Sequence, residues 1–82
     1  MTQKIDEAVS VSLTYDSTKG TVSPRAIAWK NKLYPVTRVG LHHTYLKGST
    51  LFHVFSCVTP TIFVRLVLNT QTLHWKLEEV IA

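Results

Sequence analysis

Acidic residues are absent from most of this chain. All five, Asp6, Glu7, Asp16, Glu78 and Glu79, lie towards its two ends. The interval between Asp16 and Glu78 contains no acid and eight bases: Lys19, Arg25, Lys30, Lys32, Arg38, Lys47, Arg65 and Lys76. Its formal charge is +8, against +4 for the whole chain. A body without carboxylates cannot supply the paired acids of a carboxylate-dependent hydrolase. Its positive field favours an anionic partner.

Cysteine occurs once, at Cys57, which excludes an intramolecular disulfide and any C-x-x-C metal unit and fits a reducing compartment. The three glycines, Gly20, Gly40 and Gly48, are scattered, so no phosphate-cradling loop exists. The most apolar stretch, Ile62–Leu68, is interrupted by Arg65 and falls far short of the roughly 20 residues that span a bilayer. Met1–Ala8 lacks the basic-then-apolar pattern of a signal peptide. Together these absences lead us to expect a soluble cytoplasmic protein with no membrane partner.

The 82 residues are one domain's worth of chain, with 45% hydrophobic residues. Their periodicity is that of strands. Val9, Val11, Leu13 and Tyr15 alternate with Ser10, Ser12 and Thr14. After the polar loop 16–20, strands are predicted at Arg25–Trp29, Leu33–Leu41, Leu51–Thr59, Thr61–Leu68 and Leu73–Leu77. Lys30-Asn31-Lys32 reads as a tight hairpin turn, His42–Thr50 as the longest loop, and Asn69–Thr72 as a hairpin loop. Pro35 places its strand at an edge or a bulge. Residues 1–7 read as a disordered lead-in, and 78–82 as a strand end or one helical turn. The expected fold is all-β: a curled antiparallel meander or open barrel of five or six strands. The expected inward set is Val9, Val11, Leu13, Ile27, Trp29, Val36, Phe52, Val54, Ile62, Val64, Leu66, Leu68, Trp75 and Leu77.

Two segments carry a resemblance. Residues 24–36, PRAIAWKNKLYPV, and the ending Phe63-Val64-Arg65-Leu66 to Trp75-Lys76-Leu77 resemble a group of short uncharacterised bacterial proteins, a domain of unknown function. That group has a proline, an apolar residue, Trp, a basic pair around Gly, then Tyr-x-Val, and later Trp-x-Leu. This chain has Asn31 where the pattern favours Gly, and the His42-His43 segment has no counterpart in it. The resemblance covers roughly residues 24–80. It implies a small β domain and brings no activity.

Chemistry-bearing groups are sparse. Adjacent residues of a strand face opposite ways, so His42 and His43 cannot share a metal unless they lie in a loop. His53 and Cys57 share a strand face, but at about 3.3 Å per residue they stand ~13 Å apart, too far for one zinc ion. Cys57 sits among Phe55, Ser56 and Val58 and reads as a buried, inert thiol. No nucleophile elbow is present. We therefore expect no metal, no cofactor and no catalytic residue.

The expected function is non-enzymatic binding. One reading is protein–protein contact or self-association through an outward sheet face carrying Phe63, Val67 and Phe55. Edge pairing by Leu51–Thr59 or by the N-terminal strand is a further route to another chain. The alternative reading is single-stranded nucleic acid held on a basic, aromatic β surface. The candidate binding residues are Lys30, Lys32, Tyr34, Arg38, Tyr45, Lys47, Phe63 and Arg65.

Overall fold

A computed structural model describes residues 2–81. All regular structure in it is antiparallel strand: β1 (Thr2–Ala8), β2 (Ser10–Asp16), β3 (Thr21–Trp29), β4 (Lys32–Pro35), β5 (Arg38–Lys47), β6 (Thr50–Val58), β7 (Phe63–Asn69) and β8 (Trp75–Ile81). They form a five-stranded sheet, β1-β8-β7-β6-β5, and a three-stranded sheet, β2-β3-β4, not closed into a barrel. The count of eight corrects the expected five or six. No helix of the described residues is long and apolar enough to cross a membrane.

The turns follow local chemistry. Asp16 Oδ1 accepts from the Thr18 and Lys19 amides at 2.9 and 3.3 Å, and closes the β2–β3 loop. Lys30 and Asn31 both have positive φ, 52° and 62°, the pattern of a type I′ hairpin. Asn69 Oδ1 accepts from the amides of Gln71 and Thr72 and shapes the β7–β8 connection.

Two corrections concern strand boundaries. The expected loop 42–50 is strand: β5 runs to Lys47, and Gly48-Ser49 alone turn the chain, with Gly48 at φ 63°. The Thr, Tyr and Leu of this stretch favour strand, and only Gly48 breaks it. The expected single strand 33–41 is two. Val36 donates to the Arg25 carbonyl at 2.8 Å, and the next residue, Thr37, donates to Val58 at 2.8 Å. The chain thus passes from one sheet to the other between these residues. Val9 is the matching corner, its amide bonded to the Trp75 carbonyl at 3.2 Å just before β2 joins β3. Thr2–Ala8 pairs with β8 despite its polar composition. Residues 78–81 complete β8 as strand. Pro35 ends the edge strand β4, and Pro24, on the central strand β3, sits beside the bulge that leaves Arg25 unpaired.

The core lies between the sheets. Phe55, Cys57, Val64, Leu66 and Leu77 of the larger sheet meet Ile27 of the smaller one, with Val9, Val11, Trp29, Tyr34, Val36, Ile62 and Trp75 packed around them. Three members of the expected inward set are misplaced. Leu13 is 45% exposed. Phe52 and Val54 lie on the opposite face of β6 from Phe55 and Cys57, because the hairpin at Gly48-Ser49 sets a register that turns 55 and 57 inward. Phe55, expected outward, is therefore 2% exposed in the core. Strand β6 is central, between β5 and β7, so it has no free edge to offer another chain. Glu7 accepts a 3.0 Å bond from the Trp29 indole and ties β1 to β3.

Candidate binding face

The side of the five-stranded sheet turned away from the core gathers five of the eight candidate residues. The ladders place Arg38 beside Val58, and Val58 beside Phe63, at one end. Tyr45 lies beside Phe52, and Phe52 beside Asn69, at the other. Six residues of β6 separate the two ends, about 20 Å. Lys47 and Arg65 belong to the same face. Lys30, Lys32 and Tyr34 do not: they sit on the smaller sheet. The Lys30 ammonium lies 5.0 Å over the Trp29 ring, and Tyr34 packs 6.1 Å from Trp29 against the core.

At the Tyr45 end the face becomes concave. Tyr45 and Phe52 stack with ring centres 5.0 Å apart and planes 10° from parallel. With Lys47, Val67, Asn69, Thr72, His74 and Lys76 they line a groove of about 310 Å³. Val67 and Val54 form a buried pair across β6 and β7, only 4% and 3% exposed. This corrects the expectation that Val67 is an exposed contact. Phe52, Lys76 and His74 are groove residues beyond the eight expected from the sequence. The register set at Gly48 was the signal for Phe52.

The face is not purely basic. Opposite Arg65, β8 carries a bulge, so Glu78 and Glu79 both reach the guanidinium, at 3.6 and 3.0 Å. Their adjacency in sequence implied opposite faces, and the bulge overrides that rule. Lys76 lies 3.5 Å from Asp6. The expectation of an all-positive surface is corrected accordingly. Among the described residues Arg38 and Lys47 make no ion pair.

Behind this face, in the gap between the sheets, His42 Nε2 and His53 Nδ1 are 2.7 Å apart. Their ring centres are 4.9 Å apart, with planes 18° from parallel. Such a short N···N distance with near-parallel planes means the rings meet edge to edge through an N–H···N bond. Their 11-residue separation becomes a diagonal contact across the β5–β6 hairpin. His42 is exposed overall, yet its ring lies flat on Phe55 at 4.3 Å. This apolar contact, then the nearby His53 and His43, holds its pKa below 6.5. A histidine depressed in the folded state binds fewer protons than it does unfolded, so stability is retained above about pH 6.5 and lost below it. The thermal midpoint should fall as pH drops from 7.5 to 5.5, and the His42→Ala profile should be flatter; parallel profiles would refute this coupling. No group of three or more His, Cys, Asp or Glu able to hold a metal ion occurs among the described residues. Cys57 is 1% exposed, and burial pushes its thiol pKa up to about 11, which keeps it protonated at neutral pH.

No protein-family model, curated protein or solved structure matches this chain.

Proposed function

We propose that the chain is a small, non-catalytic binding domain whose working surface is the outer face of the five-stranded sheet. Its best-fitting partner is single-stranded nucleic acid. The observation that carries this reading is the Tyr45–Phe52 stack in a groove walled by Lys47 and Lys76. A base has a flat apolar face and a phosphate on its flank, and the groove offers an aromatic ring beside ammonium groups. Asn69 and Thr72 add polar atoms for a base edge or sugar. Arg38 and Phe63 extend the same chemistry towards the other end of the sheet. The runner-up is a protein partner on this face. Phe63, 53% exposed next to Val58 and Ile81, favours it, but the reading loses Phe55 to the core and Val67 to its neighbours.

Fluorescence anisotropy of a labelled oligothymidylate tests the first reading. Affinity should fall linearly with salt on logarithmic axes, and Lys47→Ala should reduce that slope by about 0.7. Tyr45→Ala should weaken binding about 5- to 150-fold, the range for loss of one base–aromatic stack. Absence of binding at low salt, or equal affinity for Tyr45→Ala, would rule the reading out.

A further inference from the structure

The two sheets have four free edges, β1, β5, β2 and β4. A free edge is a template for another strand, and folded domains blunt such edges with charges, proline, bulges or short length. Three of the four are blunted. β1 carries Lys4, Asp6 and Glu7 and an irregularity at residues 5–6, with Asp6 at φ 52°. β4 is four residues long and contains Lys32 and Pro35. β5 is bulged at Gly40 and has Arg38 and Lys47 at its ends. β2 alone, SVSLTYD, has no Lys, Arg or Pro, and its one charge, Asp16, is its last residue.

The side chains of β2 are also unfinished. Val11 pairs with Ile27 and points into the core, and Leu13 and Tyr15 share its face. Yet Leu13 is 45% and Tyr15 62% exposed. Beside the start of β2 runs an apolar groove of about 610 Å³, lined by Val9, Val11, Leu73 and Trp75 among others. Leu73 projects there at 70% exposure from a backbone at φ 64°, a conformation unfavourable for a leucine.

We propose that the β2 edge is a homodimer interface, in which a second copy's β2 pairs antiparallel about a two-fold axis at Leu13. That axis sets Leu13 opposite Leu13, Ser12 opposite Thr14, Val11 opposite Tyr15 and Ser10 opposite Asp16. No like charges meet, although each copy carries +4. The same operation on β5 sets Arg38 against Lys47 at both ends. In the β2 pair, each Tyr15 lies across from the other copy's Val11, on the face that opens into the 610 Å³ groove. The exposed ring and the empty groove complete each other, and the strands join into a six-stranded sheet, β4-β3-β2-β2-β3-β4. His74 and Lys76 border both this groove and the one on the outer face of the larger sheet, but Ser12 and Thr14 line neither, so substitutions there test the dimer independently of the nucleic-acid reading.

Light scattering on the eluting chain tests this. The wild type should show twice the 9.3 kDa chain mass. Ser12 and Thr14 are exposed and point away from the core, so both tolerate substitution. The S12K/T14K variant sets lysine against lysine across the axis and should elute as a monomer with an unchanged far-UV spectrum. S12E/T14K sets glutamate against lysine twice and should remain a dimer. If the doubled lysine variant does not fold, S12E/T14E, which sets glutamate against glutamate across the axis, carries the same expectation. A wild type that is monomeric at every concentration, including one whose groove takes only some other partner, overturns the proposal. So does a dimer that survives S12K/T14K, and loss of the dimer in both variants overturns the antiparallel register.

Discussion

Replacing Phe55 with alanine is expected to cost about 3–5 kcal/mol. A small domain has only about 5–15 kcal/mol in total, so the variant should be largely unfolded or melt far below the wild type. Phe55 is 2% exposed, lies flat on His42 at 4.3 Å and packs 5.6 Å from Trp75. Its removal would leave a cavity between Leu66 and Leu77 on the neighbouring strands and Ile27 on the facing sheet. Phe63→Ala on the outer face is the control, with an expected cost of under about 0.5 kcal/mol. Urea titration followed by fluorescence reads both. Equal midpoints for Phe55→Ala and the wild type would mean that β6 presents its other face to the core.

Arg65→Glu is expected to destabilise the fold by about 2 kcal/mol. Alternation alone places Arg65 outward and makes the change nearly neutral. The bulge in β8 alters that expectation, because Glu78 and Glu79 both converge on the guanidinium. Reversal would bring three carboxylates together on a partly buried site. The figure is set below the 3–5 kcal/mol of a fully buried pair because the Arg65 side chain is 36% exposed. Arg65 Nε is buried without a hydrogen-bond partner among the described residues. Combining Arg65→Glu with Glu79→Arg should recover part of the loss, as measured by thermal melting. A single variant as stable as the wild type would show that the ion pairs contribute nothing.

Some parts of the structure were legible in the sequence and others were hidden. The all-β class, the Lys30-Asn31 turn and the edge position of Pro35 followed from period-two alternation, a tolerated positive φ and a missing amide hydrogen. The inward positions of Ile27, Val64, Leu66 and Leu77 followed from the same alternation. Strand β6 defeated it: Leu51 to Val58 is apolar on both faces, so periodicity could not choose between Phe52-Val54 and Phe55-Cys57. The deciding residue was Gly48, whose two-residue turn fixes the register of the whole hairpin. The bulge opposite Arg65 was equally hidden, since nothing in Leu77-Glu78-Glu79-Val80 signals an extra residue. Of the proposed binding face, Tyr45, Lys47, Arg38, Phe63 and Arg65 were legible as types, but their meeting on one sheet face was not. Lys30, Lys32 and Tyr34 looked alike in composition and belong to the other sheet.

The proposed function rests on binding of a single strand by the outer face of the five-stranded sheet. Amide chemical-shift mapping on titration with oligothymidylate at low salt tests it most directly. Perturbations are expected to centre on Tyr45, Lys47, Phe52, Asn69 and Lys76 and to extend towards Arg38 and Phe63, with Ser10–Tyr15 and Lys30–Tyr34 unmoved. Perturbations centred on the Lys30–Tyr34 hairpin, or no perturbation at all, would contradict it.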